Sequence, residues 1–322
     1  MGDTAMLRWT VSSLLVAAGA FAATPSVGDE TDHRLAGTLL AITTNWPGAG
    51  GGDLIRMRTD GSGRRVLARD VQSAAFSPDG RRIAFARSGD IYVMPAAGGS
   101  ARRVVGGPYR SGNPTWSPDG TRLAYDSCTS GLLCDIFSAR VDGAASIVKL
   151  TSGRSRPGDA CEGEAFVGFS SPAWNPRGGT IAAAMSCWSE EDPMLLGAYV
   201  DASGKGVTRS FTARAFGSPD WAPDGARLAY RNRAGDAALD EAAIFTMRRD
   251  GSQNRRLTPL RSNTDTINNA DGPTWSPDGT HLAYAKASST TSGVPTQTWI
   301  TDSTGRHRWL VATGIVPQDW AR

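Results

Sequence analysis

The chain has 322 residues, 40 % hydrophobic, 20 % charged and 8 % aromatic, with 34 basic side chains against 31 acidic ones. A formal net charge of +3 argues against a dedicated nucleic-acid binder, and no apolar run approaches the roughly 18 residues of a membrane-spanning helix. Glycine at 38 and proline at 18 are high for a helical protein and point to a turn-rich one.

At the N-terminus, Met6-Leu7-Arg8-Trp9 precedes an apolar stretch, Leu14 to Ala22, that ends in the small-x-small triplet Ala20-Phe21-Ala22. This pattern predicts a secretory signal peptide over 1–22 and a short lead over 23–36, hence an exported protein, periplasmic or extracellular. An oxidising compartment accounts for Cys128, Cys134, Cys161 and Cys187, which are even in number and lack zinc-site spacing. The simplest pairing is Cys128–Cys134 and Cys161–Cys187, with the other two connectivities open.

From residue 37 onward one phrase recurs: Phe76-Ser77-Pro78-Asp79-Gly80, Trp116-Ser117-Pro118-Asp119-Gly120, Trp174-Asn175-Pro176-Arg177-Gly178, Trp221-Ala222-Pro223-Asp224-Gly225 and Trp275-Ser276-Pro277-Asp278-Gly279. Proline presets the first turn position, the aspartate bonds nearby backbone, and glycine supplies the positive φ. Each turn leads into a short apolar strand such as Leu123-Ala124-Tyr125. A third strand such as Ile244-Phe245-Thr246-Met247 follows, then a glycine turn and a fourth strand such as Arg255–Thr258. Aromatic-to-aromatic spacings of 40, 58, 47 and 54 residues, with four strands per repeat, predict propeller blades. Gly37–Ala41 aligns with Gly120–Ala124, and Pro317–Arg322 with the segment before a turn. The expected fold is therefore an all-β, six-bladed β-propeller over 37–322, its ring closed by the C-terminal strand completing the first blade.

The Trp-Ser-Pro-Asp-Gly … Leu-Ala-Tyr … Asp-Gly-Ser … Arg-Arg-Leu-Thr pattern resembles the WD40-like (PD40) repeat of TolB-type propellers. The resemblance covers the propeller part only. Full-length proteins of that type carry an N-terminal α/β domain, for which Ala23–Gly37 leaves no room. It implies binding of partners or ligands at one face of the ring.

Length variation is confined to connections on one face: between second and third strands (Thr44–Asp53, Ser127–Cys134, Met185–Pro193, Arg231–Glu241, Ala285–Gln297) and between blades (Gly106–Asn113, Thr151–Ser170, Pro259–Asp271). Loops on a rigid scaffold are where binding residues concentrate. The candidates on that face are Trp46, Tyr109, Arg110, Arg154, Trp188, Glu190, Glu191, Asp192, Arg231 and Asp240, a mixture of aromatics and both charge signs that suits protein or glycan recognition. Asp265, Asn268 and Asp271 form a sparse set of hard oxygen ligands for a cation such as Ca²⁺. Three scattered histidines (His33, His281, His307) and the absence of a Gly-x-Ser-x-Gly elbow offer no nucleophilic set. The expected function is non-catalytic binding by a monomer without cofactor, its partner an envelope or extracellular protein or glycan. The alternative is a lyase or hydrolase of carbohydrate or envelope polymer that uses loop carboxylates.

Overall fold

A computed structural model describes residues 35–44, 51–130, 133–143, 146–152, 166–188, 194–211, 216–233, 242–259, 268–288 and 296–322. Arg34–Arg322 forms one compact unit. The expected signal peptide and nearly all of the lead lie outside the described residues.

The described chain is all β, arranged as a propeller. A seven-stranded sheet comprises β1 (Thr38–Thr43), β2 (Gly52–Arg58), β3 (Arg65–Phe76), β4 (Arg82–Arg87), β5 (Asp90–Pro95), β6 (Arg102–Val105) and β23 (Ile315–Ala321), in the order β23-β1-β2-β3-β4-β5-β6. Four four-stranded sheets account for the rest. The first holds β7 (Arg110–Trp116), β8 (Arg122–Ser130), β9 (Leu133–Arg140) and β10 (Ile147–Lys149), the second β11 (Phe166–Trp174), β12 (Thr180–Trp188), β13 (Met194–Asp201) and β14 (Gly206–Phe211). The third holds β15 (Gly217–Trp221), β16 (Arg227–Arg233), β17 (Ala242–Arg248) and β18 (Arg255–Arg256), and the fourth β19 (Asn268–Trp275), β20 (His281–Ser288), β21 (Gln297–Asp302) and β22 (Arg308–Thr313). All pairings are antiparallel, and the last strand, β23, pairs with the first, β1.

The Pro-Asp-Gly turns form as the sequence requires. In the first, Gly80 N–H bonds the Ser77 carbonyl at 2.8 Å with Gly80 at φ 67°, while Asp79 accepts from the Ser77 hydroxyl and from Arg81 N–H. The Ser77 hydroxyl, followed by the Arg81 amide, holds the Asp79 carboxyl below its ordinary range.

Second strands are buried on both faces, which explains their continuous apolar runs. Their alternate residues enter different core layers. Ile83 and Phe85 pack into one layer, while Ala84 and Ala86 face the next, where Trp116 sits. The same small-against-large pairing joins Ala229 to Trp275 and Ala283 to Trp320. A tryptophan fits only because its neighbour across the layer is alanine.

Two details depart from the sequence expectation. β1 sits one residue out of the expected alignment: Leu39, rather than Leu40, opposes Trp320 as Leu123 opposes Trp116. Leu40 therefore takes the alanine position and packs against Phe76, whose smaller ring leaves it room. Strands also run further into the expected loops. Within Ser127–Cys134, β8 continues to Ser130 and β9 begins at Leu133, because cross-strand pairing persists past Cys128↔Cys134.

Candidate functional site

The strands that end in Phe76, Trp116, Trp174, Trp221 and Trp275, with β23, which carries Trp320, line a central channel of ≈ 490 Å³. Each is bulged: register shifts fall between Val71/Ser73, Gly112/Thr115, Ser170/Ala173, Gly217/Asp220 and Asp271/Thr274, and at Gln318 where β23 pairs with Leu40/Ala41. Asn113, Ser171, Ser218 and Gly272, each directly before a proline, adopt φ of 48°, 51°, 45° and 57°. Non-glycine residues pay for that conformation, and bulges of this kind re-aim side chains. An x-Pro-x-Trp spacing marks the four of these bulges that precede Trp116, Trp174, Trp221 and Trp275.

The bulges turn polar groups onto the channel wall and onto one another. Asp126 is buried and accepts from Asn113 Nδ2 (2.7 Å) and from the Ser171 amide (2.8 Å), joining β7, β8 and β11. Burial raises its carboxyl despite those hydrogen bonds. Ser218 donates to Asp271 Oδ1 (2.8 Å), whose Oδ2 lies 3.9 Å from Arg231 Nε. Asp220 and Asp319, both half-buried, latch successive inner strands. Asp220 Oδ2 accepts Trp275 N–H at 2.8 Å, and Asp319 Oδ2 accepts Phe76 N–H at 2.6 Å while its Oδ1 accepts Trp320 N–H at 2.7 Å. Burial, then the charge of Asp319, pushes Asp220 up to about 7; burial pushes Asp319 up to about 6.

Arg231 and Asp271 from the sequence-derived set thus meet on the channel wall. Tyr109 is exposed beside Arg110, the first residue of β7, which is also exposed. Trp188 ends β12, opposite Phe166. Trp46, Arg154, Glu190, Glu191, Asp192, Asp240 and Asp265 lie outside the described residues, as does the side chain of Asn268. Asp271, offered as a cation ligand, is engaged by Ser218 and Arg231, and the described residues bring no three His, Cys, Asp or Glu together to hold a metal. Cys128 and Cys134 form a disulfide between directly opposed positions. Cys187 is disulfide-bonded, and Cys161 lies outside the described residues. His307 pairs with Asp302 at 2.8 Å on an exposed turn, and His281 contacts Thr280 and Trp309. No described helix is long and apolar enough to cross a membrane.

The fold has counterparts among solved structures. A TolB crystal structure from Acinetobacter baumannii superposes with a TM-score of 0.66 at 18 % identity, covering 88 % of this chain and 66 % of that one. The fold is that of a TolB-like β-propeller. A second structure described as TolB, from Agrobacterium tumefaciens, gives 0.61 at 17 % identity, over 88 % of this chain and 91 % of that one. An oligogalacturonate lyase in complex with manganese gives 0.52 at 13 % identity, over 86 % and 73 %. No protein-family model matches the chain. Among curated proteins, the uncharacterized protein Atu1656 of Agrobacterium fabrum is 28 % identical over 182 residues, 52 % of this chain and 57 % of its own length. The uncharacterized peptidase YuxL of Bacillus subtilis is 45 % identical over 53 residues, 15 % of this chain and 8 % of its own length. The chain thus spans little over half, or less, of these two curated relatives.

Proposed function

We propose that the chain is an exported, non-catalytic propeller that binds an envelope or extracellular protein or glycan at the mouth of its channel. The observation that carries this reading is the convergence of the channel with the variable connections. Arg231, Ala287 and Thr296, at the ends of β16 and β20 and just before β21, line the channel, and the length-variable connections leave from those ends. The wall there is polar and of mixed charge, suited to an extended peptide or sugar chain. Six blades follow if β3 is shared. Its first half pairs with β2 through Arg65–Val71 and its second half with β4 through Val71–Phe76, giving four-stranded units on either side. Six apolar layers between successive units fit that count. The Cys128–Cys134 disulfide supports an oxidising compartment, and a Cys161–Cys187 bridge would complete the set.

The test is capture from source-envelope extract and a glycan array, using oxidised chain from Ala23. Arg231→Ala/Asp271→Ala and Trp46→Ala/Trp188→Ala serve as paired controls. A saturable partner lost in either control supports the reading; capture indifferent to both refutes it. Carbohydrate cleavage is the second reading, favoured by two channel carboxylates that titrate near neutrality. The backbone N–H groups already held by Asp220 and Asp319 weigh against it. It requires turnover of an acidic or neutral glycan that Asp220→Asn abolishes.

A further inference from the structure

The tight-turn side of the ring carries a second feature, at the interface between β11–β14 and β15–β18. At two other interfaces an arginine that opens the second strand clamps the next blade. Arg82 Nη2 donates to the Gly120 carbonyl at 2.7 Å with its guanidinium 4.7 Å from the Trp116 ring, and Arg227 Nη2 donates to Gly279 at 2.9 Å, 4.6 Å from Trp275. At that position β12 has Thr180, which cannot reach. Asn175 Nδ2 takes the Gly225 carbonyl instead, at 3.0 Å. A cleft of ≈ 510 Å³ remains, lined by Arg177, Thr180, Tyr199, Arg209, Arg248 and Arg249.

Two of these arginines depart from the repeat in the same direction. Arg177 replaces the carboxylate supplied elsewhere by Asp79, Asp119, Asp224 and Asp278. Arg249, whose N–H bonds the Ala226 carbonyl, occupies the place where the same backbone bond is made by Ala96, Val141, Ala202 and Ser303. The guanidinium of Arg249 is oriented by Thr180 Oγ1 at 2.7 Å, and Arg248 Nε is held by Gln253 at 3.0 Å. Among the described residues, none of the four arginines makes a salt bridge within 4.0 Å. The one acid on the lining, Asp250, is committed to capping its own turn through Ser252 N–H. Independently, Tyr199 is only 5 % exposed, and its hydroxyl has no hydrogen-bond partner. Burial pushes that phenol up to about 12, with Arg209 and Arg249 opposing the shift, which leaves a neutral O–H donor beside both guanidiniums. A buried hydroxyl left unpaired is costly unless something accepts from it.

We propose that this inter-blade cleft binds a phosphoryl group. Several guanidinium forks and one hydroxyl converging from different strands match a tetrahedral oxyanion with several acceptor oxygens better than a planar carboxylate. The volume leaves room for the small alcohol or glycan that carries it. The site is independent of the channel reading, since it lies among the tight turns at the other end of the strands.

Calorimetric titration of the full chain with inorganic phosphate at low ionic strength tests it. Saturable binding that weakens with salt is expected. Arg177→Asp, which restores the repeat residue, and Thr180→Arg, which introduces the clamp seen at Arg82 and Arg227, should each cost about tenfold or more in affinity. Tyr199→Phe should lose affinity several-fold while the protein stays as stable, whereas Arg256→Gln on the neighbouring outer strand changes nothing. Glycerol 3-phosphate binding tighter than phosphate identifies a soluble ester. Binding to phosphatidylcholine vesicles only when phosphatidate is present identifies a lipid headgroup. No saturable phosphate binding by the folded wild-type chain, or wild-type affinity in both Arg177→Asp and Tyr199→Phe, overturns the proposal.

Discussion

Asp220 and Asp319 make the stability of the ring depend on pH in the direction opposite to ordinary paired carboxylates. Their native values, about 7 and about 6, lie above the unfolded value of 3.8. Between pH 4 and 7 the native state therefore binds more protons than the unfolded chain, and stability falls as pH rises through that window. At about 1.4 kcal/mol per pH unit, the two displacements give an upper bound of roughly 7 kcal/mol. Both groups are only half-buried on an open channel, so solvent relaxation brings the expected loss to on the order of 2–4 kcal/mol. The assay is chemical denaturation followed by tryptophan fluorescence, comparing midpoints at constant slope. Asp220→Asn keeps an oxygen for Trp275 N–H and removes both the buried charge and its repulsion of Asp319. It should raise stability near pH 8 by about 1–3 kcal/mol and leave it nearly unchanged near pH 4.5. The double variant with Asp319→Asn should gain less than the sum of the singles, because the carboxylates repel each other. A wild-type midpoint that climbs from pH 5 to 8, or an Asp220→Asn variant less stable than wild type near pH 8, would refute the reasoning.

Other outcomes follow from single contacts. Opening Cys128–Cys134 by Cys128→Ser/Cys134→Ser, across a separation of 6 residues, should cost about 2 kcal/mol in the denaturation midpoint. Arg227→Ala removes both the bond to Gly279 and the stacking on Trp275, for a loss of about 1–2 kcal/mol and altered tryptophan emission. Asp126→Ala strands the Ser171 amide and Asn113 Nδ2 in the interior, so a loss of about 2–4 kcal/mol is expected by thermal unfolding; Asp126→Asn should cost less.

The repeat was legible because its determinants are local. Ser-Pro-Asp-Gly closes a turn by bonds spanning two to five residues, and Leu-Ala-Tyr reports a strand covered on both faces. What escaped is what depends on the neighbouring blade. The offset of β1 follows from Phe76 standing where other layers have tryptophan, a difference that matters only once the two strands face each other. Asp220 reads in sequence as one residue before a tryptophan, and its partner amide is 55 residues further on. Arg231, a loop-face candidate, and Asp271, a cation-ligand candidate, are named separately in the sequence, and their meeting on the channel wall depends on the bulges.

In a closed ring every interface must hold, so one without the clamp made by Arg82 and Arg227 relies on other contacts. Between β11–β14 and β15–β18 the main one, beside the Asn175–Gly225 hydrogen bond, is a chain of rings. Tyr199 lies 5.7 Å from Trp221 and 5.2 Å from Phe211, Phe211 lies 5.2 Å from Phe216, and Phe216 stacks at 4.8 Å on Tyr230. Contacts of this kind contribute about 0.5–1.5 kcal/mol each beyond the area they bury, which offsets one missing arginine. Much of the cohesion is therefore supplied deeper in the layer, beneath the Asn175–Gly225 and Arg249–Thr180 hydrogen bonds. The outer cleft gathers four arginines around a single acid, Asp250, a charge imbalance that a bound anion would relieve. Cohesion alone would be served by an arginine at residue 180, as at residues 82 and 227, and by an aspartate at residue 177. The joint departure of both, beside a buried hydroxyl with nothing to bond, is what a ligand site superimposed on a structural repeat requires.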